Sequence, residues 1–314
     1  MDDEGGTASV LLTNDPAGWF SFKLHMLLDA VDAELPNALD PAQIEGIHDM
    51  RVATRRLRSA LRDIDLVLGH HPAKAASQGL KALADALGAV RDEDVAIHEL
   101  EKMSAEWDSE RIRLGIAELI EIRRVRRESA FTDLQKDLSV DFQQELRHRF
   151  ETSMEVLLDR FEHTSYTEVR DFGREIIVSL MSELSGLGVG LCDPFDRKTL
   201  HRARISAKRL RYAIDLFSEC WSPQIVQYSK ELARMQGYLG DAHDRDVWMT
   251  DLFTLIKDLK YSDTAETPQL EAAAWLISQY VKERTKNYRD ALELWADWKK
   301  RDFSGSLREA IETI

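Results

Sequence analysis

The sequence predicts an all-α protein of about ten helices. Apolar residues recur at intervals of three and four along most of the chain, which is the spacing that gives a helix one buried face. Alternation of polar and apolar residues is rare, so strand signals are almost absent. The 314 residues include only 15 glycines and 7 prolines, and few positions can therefore interrupt these helices.

Prolines and glycines bound the first predicted helices. We expect the acidic segment 1–15 to be disordered and a helix to follow over 17–34, ending before Pro36. Pro41 then opens the second helix. It should end at Gly69, because glycine is the usual residue after a helix C-terminus.

A break is predicted between the third and fourth helices. Pro72 opens the third, which should end near Gly88, and Asp92 stands where an N-cap for the fourth is expected. The other predicted helices span 109–137, 140–163, 166–184, 200–217, 223–239, 244–260 and 270–300, and residues 304–314 form a short helix or a tail.

A glycine-rich run, SGLGVGLCDP at 185–194, superficially suggests a phosphate-binding loop. Such a loop follows a strand and leads into a helix N-terminus, whereas this run follows a predicted helix. We therefore interpret it as a connection between helices.

The segment 47–68 carries one narrow basic face. On a helix, its basic side chains fall within an arc of roughly 80°, and its apolar side chains lie opposite. Like charges at this spacing destabilise a helix unless anions from elsewhere compensate them. The members of this first stripe are His48, Arg51, Arg55, Arg58 and Arg62.

The same pattern returns near residue 200. Four residues repeat the spacing of the first stripe at a constant offset of 153, namely His201, Arg204, Lys208 and Arg211. A second motif recurs in the same order, LGAVRDEDV at 87–95 and LGDAHDRDV at 239–247. Two ordered repeats indicate an internal duplication.

The charge distribution favours an interior anion site over a generally basic surface. The formal net charge is −14, which by itself argues against a polyanionic partner. The basic residues are concentrated in 47–62, 201–211 and 111–127, however, so the remainder of the chain is strongly acidic. Basic helices in an acidic chain are typical of a cleft rather than of a surface that attracts nucleic acid in general.

Cellular location is inferred from the cysteines and from hydropathy. Cys192 and Cys220 are the only cysteines and form no disulfide framework. No charge-free apolar run approaches 18 residues, and the N-terminus is acidic, unlike a signal peptide. We expect a soluble cytoplasmic protein.

The stripes suit phosphate chemistry. A guanidinium binds two phosphate oxygens at once, and a polyanion would raise the pKa of His48 and His201, which neighbouring arginines lower in the free protein. The alternative is a solvated face or a lattice of salt bridges. Two matched stripes that each lack acid partners at i+4 make this alternative the weaker one.

The paired segments HDMRVATRRLR and HRARISAKRLRY, each followed by its LG motif, resemble the CHAD family, the conserved histidine α-helical domain. The resemblance covers about residues 15–300. It implies two antiparallel helical bundles related by a pseudo-two-fold axis, with a basic channel or groove between them that binds inorganic polyphosphate. The binding residues it implies are His48, Arg51, Arg55, Arg56, Arg58, His201, Arg204, Lys208, Arg209, Arg211 and Tyr212. The helical stripe adds Arg62 to this set.

This resemblance sets the expected organisation and role. The domain should span 16–300, with halves at about 16–163 and 164–300 and a tail at 301–314. We expect a binding module with neither catalytic residues nor cofactor nor metal, acting in localisation to polyphosphate granules or in regulation of phosphate storage. The second copy has His243 where the first has Arg91, so this position is not uniformly basic.

Several roles stay open on sequence alone. Arg56 and Arg209 lie at the edge of the stripes and are equally suited to pairing with protein carboxylates. Asp92 and Asp244 are interpreted as helix caps, with orientation of an arginine as the alternative. Arg123, Arg124, Arg126 and Arg127 either line the same channel or are solvated.

Two other functions are considered. His48–Asp49 and His243–Asp244 are similar to the His-Asp doublet of metal-dependent phosphohydrolases, but Asp49 corresponds to Arg202 in the second copy and the surrounding arginines would repel a cation. An RNA-binding module would interleave aromatic and basic residues, whereas the stripes contain one tyrosine. Nucleic acid and membrane are therefore not expected partners.

Overall fold

A computed structural model describes residues 14–41, 43, 45–69, 71–261 and 267–312, and they form an all-α fold, as predicted. The described residues contain ten α-helices and no strand. In chain order the helices are α1 (Pro16–Leu39), α2 (Gly46–Leu68), α3 (Lys74–Ala105), α4 (Glu110–Asp137), α5 (Val140–Glu162), α6 (Val169–Gly186), α7 (Arg197–Leu216), α8 (Val226–Tyr261), α9 (Pro268–Lys300) and α10 (Phe303–Glu312).

Most helix boundaries follow from local capping. Ser109 caps α4 by accepting a hydrogen bond from the Ile112 N–H, and Ser139 caps α5 in the same way. Gly69 follows α2 with a φ of 66°, as the predicted stop requires. The glycine-rich run is a connection between α6 and α7, as expected, and contains a 3₁₀ turn at Gly190–Cys192.

The predicted end of α1 before Pro36 is wrong. The helix continues through Pro36 to Leu39, and this extra turn buries Ala38, which is 1% exposed. The next helix begins at Gly46 rather than at Pro41. The prediction that segment 1–15 is disordered concerns residues that lie almost entirely outside the described ranges.

The predicted break near Gly88 is also wrong. Helix α3 runs without interruption through Gly88 and Asp92, and α8 does the same through Gly240 and Asp244. Neither aspartate is therefore an N-cap. A glycine inside a helix costs about 1 kcal/mol, and the buried contacts that the longer helices make outweigh this cost.

The larger hydrophobic core takes residues from both predicted halves of the chain. Trp19 of α1 stacks on Phe217, which follows α7, with ring centroids 5.4 Å apart. Phe20 packs at 4.8 Å from both Phe161 and Phe172. The two halves thus share one core. Their boundaries and the internal duplication stay predictions from the sequence.

A second, smaller core, here called the distal bundle, joins one stretch each of α3, α4, α8 and α9. Its helices form two hairpins, one from each predicted half. Burial of the distal-bundle side chains explains why α3 and α8 extend past Gly88 and Gly240. The buried members are Ala96, Leu100, Met103, Ile116, Leu119, Ile120, Trp248, Met249, Leu252, Ala272, Ala273, Leu276 and Tyr280.

Ion pairs join the helices of the distal bundle. Arg123 of α4 bonds Glu93 at 3.2 Å and Asp251 at 2.8 Å. Arg245 of α8 bonds Glu99 at 3.1 Å and Glu283 at 2.6 Å. These half-buried pairs connect all four helices of the distal bundle.

Close packing in the distal bundle gives a stability prediction. A Cβ added at Gly115 would lie 2.1 Å from the Pro268 carbonyl oxygen, so the two helices would have to move apart. We expect Gly115→Ala to lower the free energy of unfolding by about 1–3 kcal/mol, the usual cost of overpacking. Urea denaturation measures this. Gly186→Ala is the matched control, since a Cβ there meets nothing within 4 Å. Equal stability of the two variants would contradict the close contact between Gly115 and Pro268.

No helix in the described part of the chain combines the length and the apolar character needed to cross a bilayer.

The C-terminal segment 303–312 forms a helix, one of the two alternatives considered, and its Leu307 and Ile311 are fully buried in the larger core.

Candidate functional site

One cleft lies between the basic stripes of α2 and α7, but only part of each stripe lines it. The lining takes Arg55, Arg58 and Arg62 from the first stripe and Lys208 from the second, whereas the other predicted members do not line it, namely His48, Arg51, His201, Arg204 and Arg211. The two helices pack against each other, and the cleft between them and α3 has a volume of about 540 Å³. Helix α3 adds Lys74 and Lys81 to its cations. We call this the basic cleft; it is lined by Arg55, Arg58, Ser59, Arg62, Asp65, His71, Lys74, Ser77, Gln78, Lys81, Ile205, Lys208 and Tyr212.

Tyr212 connects the two stripes. Its ring lies 4.5 Å from the Arg211 guanidinium carbon and 5.4 Å from that of Arg55, so one aromatic ring supports a cation from each helix. Tyr212 is buried, and its hydroxyl has no hydrogen-bond partner among the described residues.

Several cleft cations lack an acidic partner. Within the described ranges, no ion pair joins Arg55, Arg58 or Lys208 to a carboxylate, and the buried Nε atoms of Arg55 and Arg204 donate no hydrogen bond. Burial lowers the pKa of Arg55, and Arg51, Arg211 and Arg56 lower it further against the opposing effect of Tyr212. Arg55, Arg58 and Lys208 therefore give the free cleft positive charge that no ion pair in the described part of the chain compensates.

The pKa of Lys208 responds most strongly to burial beside other cations. Burial, followed by the charges of Arg55, Arg204, Arg62 and Arg51, lowers its pKa to about 7. A lysine that holds its proton this weakly gains most from a nearby anion.

The other stripe arginines are oriented by polar neighbours. Arg51 lies 3.5 Å from Asp92, so this aspartate takes the alternative role of orienting an arginine rather than that of a cap. Arg211 donates to Gln236 at 3.1 Å and lies 3.6 Å from Asp215. Asp215 is an acid partner at i+4, so the expectation that the second stripe lacks such partners is wrong for Arg211. Arg62 donates to Ser59 at 2.9 Å.

The two edge arginines differ in their surroundings. Arg209 donates to Glu183 at 2.9 Å and lies 4.0 Å from Asp63, as expected of a residue that pairs with protein carboxylates. Arg56 is exposed and lines a separate cleft on the other side of Tyr212.

Asp63 is a site residue that sequence reasoning missed. It is 1% exposed and lies beside Arg62 of its own helix and Arg209 of α7. Burial raises its pKa to about 6, although both arginines oppose the shift. Arg62 adjoins it in sequence, but its burial and its contact with Arg209 depend on how α2 and α7 pack, so no local pattern identified it as a site residue.

His243, the position where the two motifs differ, lies against His201 with ring centroids 4.7 Å apart. Burial lowers the pKa of His201, and His243, Arg204 and Lys208 lower it further, in the predicted direction. The His201 Nδ1 is buried without a partner in the described structure. The first-stripe histidine, His48, is half-buried on α2.

The glycines of the repeated motif face stripe arginines. A Cβ at Gly88 would lie 4.0 Å from the Arg51 Nε, and one at Gly240 would lie 3.8 Å from the Arg204 Cδ. These are ordinary contact distances, so alanine fits, whereas a branched side chain would displace the guanidinium.

A second prediction follows from this geometry. Gly88→Ala should raise the free energy of unfolding by about 0.5–1 kcal/mol and leave anion affinity unchanged, because alanine is the better helix former. Gly88→Leu should weaken anion binding by moving Arg51. Thermal unfolding and binding titrations measure both effects. If Gly88→Ala weakened binding as much as Gly88→Leu, the contact with Arg51 would not be the reason for the glycine.

The Arg-rich segment of α4 lies outside the basic cleft. Arg123 and Arg127 are paired with acids of α3, the latter with Asp94 at 2.8 Å. Arg124 bonds Glu101 and Glu121. Arg126 lines two other cavities. The interpretation of these residues as channel lining is not supported by their positions.

The comparisons with known proteins agree with this architecture. The family model of the CHAD domain matches residues 24–253. The crystal structure of the CHAD domain from the plant Ricinus communis is similar with a TM-score of 0.67 and 23% identity, covering 95% of this chain and 92% of that chain. PptA from Streptomyces chartreusis is similar with a TM-score of 0.63 and 14% identity, covering 90% and 99%. At these identities the likeness concerns the fold. The comparison with curated proteins gave no match.

Proposed function

Because this chain belongs to the CHAD domain family, we propose that its basic cleft binds inorganic polyphosphate without hydrolysing it. The observation that carries this proposal is the set of cleft cations without acidic partners, whereas partly buried arginines outside the cleft, such as Arg123 and Arg127, are paired with carboxylates. A polymer of phosphates would supply the anions that Arg55, Arg58 and Lys208 lack.

The arrangement of the cations suits a linear polymer. The first stripe, from His48 to Arg62, extends about 20 Å along α2 at 1.5 Å per residue. Successive cations of the first stripe are one helical turn apart, and Lys208 of the second stripe lines the same cleft. A phosphate chain lying in the cleft would meet donors from both helices along its length.

Inorganic polyphosphate fits the basic cleft better than single-stranded nucleic acid does. Proteins that bind single strands without sequence preference stack bases on exposed aromatic rings. Tyr212 is the one aromatic residue that lines the basic cleft in the described part of the chain, and it is buried with guanidinium groups against its ring. Affinity should therefore come from phosphates.

A competition titration tests the choice of polymer. Labelled polyphosphate of defined length would be displaced by unlabelled polyphosphate and by RNA with a similar number of phosphates. We expect polyphosphate to compete more than tenfold better. RNA that competes equally well would replace this proposal with that of a general phosphate-backbone binder.

Absence of turnover is part of the proposal and is tested separately. The arginines around His48 and His201 would repel a catalytic metal ion, and we expect no phosphate release from long-chain polyphosphate with or without Mg²⁺ or Mn²⁺. Release that disappears in His48→Ala or His201→Ala would contradict the binding-only function.

The cellular role proposed for this binding is localisation to polyphosphate granules or regulation of phosphate storage in the cytoplasm. A fluorescent fusion should co-localise with polyphosphate granules and become diffuse when Arg55 and Lys208 are replaced by glutamine. A wild-type fusion that stays diffuse in cells containing granules would argue against localisation.

A further inference from the structure

A second cleft, of about 400 Å³, shares Tyr212 as a wall with the basic cleft. Helices α1, α2 and α7 form it, and we call it the α1 cleft. We propose that it binds the nucleoside part of a nucleoside oligophosphate whose phosphates extend toward the basic cleft. This inference rests on the proposed function, since the same cations hold the phosphates.

The wall of the α1 cleft is apolar where the basic cleft is charged. Met26, Leu27 and Ala30 of α1 face Ala60 and Leu216 across it. Met26 is 46% exposed, so an occupant would remove apolar surface from water. An inorganic polyanion gains nothing from aliphatic side chains, and the expected ligand therefore carries an organic group as well as negative charge.

The polar groups of the α1 cleft are few and specific. Arg56 is exposed and makes no ion pair within the described structure, whereas Lys23 is paired with Glu219 at 3.0 Å. Arg56 adjoins Arg55 in sequence, and the two line the clefts on opposite sides of Tyr212. A phosphate chain that extends past Tyr212 would thus reach Arg55, while Arg56 stays beside the nucleoside.

The remaining groups favour a nucleoside over other organic anions. Guanidinium planes stack on nucleobases, and Arg56 offers one at the rim. Asp215 accepts a hydrogen bond from Ser229 and lies 3.6 Å from Arg211, and its half-exposed carboxylate can accept a further hydrogen bond from an amino group or a ribose hydroxyl. The volume lies within the range of small-ligand pockets, and the chemistry of an apolar wall with a few polar groups is typical of them.

Paired titrations of ATP and tripolyphosphate test the proposal, because both have three phosphates and only one has a nucleoside. Metal-free calorimetry at matched ionic strength would compare wild type with Ala30→Trp, which fills the α1 cleft without changing charge. Ala117→Trp, an exposed alanine of α4 outside both clefts, is the control. Thermal unfolding would verify that both variants are folded.

We expect Ala30→Trp to weaken ATP about tenfold and to leave tripolyphosphate unchanged, and Ala117→Trp to change neither. Equal effects on the two ligands, or none on ATP, would overturn the α1 cleft as a nucleoside site. If Ala30→Trp does not fold, Leu27→Ala replaces it, and the same loss specific to ATP is required. Failure of long polyphosphate to bind would instead contradict the proposed function, so the two failures are distinguishable.

Discussion

Replacing Arg55 and Lys208 together by glutamine is expected to weaken polyphosphate binding on the order of a thousandfold. One residue comes from each stripe, both line the basic cleft, and neither has an acidic partner within the described ranges. A hydrogen bond to a charged group contributes about 1.5–3 kcal/mol, which is roughly 10- to 150-fold in affinity for each residue. The double variant should also show a shallower dependence of affinity on salt, because fewer phosphates are neutralised.

A matched control is available in the distal bundle. Arg113→Gln with Lys257→Gln removes the same charge types from exposed positions outside the basic cleft. This control should lower affinity by less than threefold. Comparable losses in the two double variants would show that net charge, and not the cleft, determines binding.

Raising the pH from 7 to 9 is expected to weaken binding by up to about a hundredfold. The pKa of Lys208 is about 7 in the free protein, because of burial and then of Arg55, Arg204, Arg62 and Arg51. Bound phosphate raises this pKa, so binding takes up a proton above pH 7, and one proton gives at most a tenfold change per pH unit. Asp65, whose pKa burial raises, also lines the basic cleft.

Lys208→Arg identifies the residue responsible, since arginine stays charged over this range. Its affinity should be almost independent of pH between 7 and 9. His201, whose pKa also lies below its usual value, should add strength as the pH falls toward 6. If Lys208→Arg retained the full wild-type slope, the proton would belong to another group.

The lowered pKa of Lys208 also affects the stability of the protein without ligand. The folded pKa of Lys208 is lower than the unfolded value of 10.5, so the unfolded chain binds more protons between about pH 7 and pH 10.5. The contribution of Lys208 to stability therefore rises with pH through this window. Lys208→Gln should accordingly raise the thermal midpoint at neutral pH while it weakens binding.

Local pattern was sufficient to predict the stripes. Helical periodicity determines which side chains share a face, so Arg51, Arg55 and Arg58 could be assigned to one side of α2 before any contact was known. Predicting a cleft between the stripes required one further assumption, that the helices carrying the two matched stripes pack together. The all-α class followed from the same periodicity.

Partners and helix ends were harder to predict, because they depend on contacts distant in sequence. Gly88 followed by Asp92 has the local signature of a helix boundary, yet α3 continues because Leu100 and Met103 are buried in the distal bundle. The pairing of Arg209 with Glu183 and the contact of His201 with His243 likewise depend on which helices pack together. A single sequence carries no direct signal for either.

The stoichiometry of binding tests the central claim that both stripes serve one site. Calorimetric titration with a polyphosphate chain of about 20 Å, the length of the first stripe, would compare wild type with two triple variants. One replaces Arg51, Arg55 and Arg58 by glutamine, and the other replaces Arg204, Lys208 and Arg211. We predict one chain bound per wild-type protein and almost complete loss of binding in each variant. Two chains per protein, with each variant keeping one of them at wild-type affinity, would contradict the single-site account.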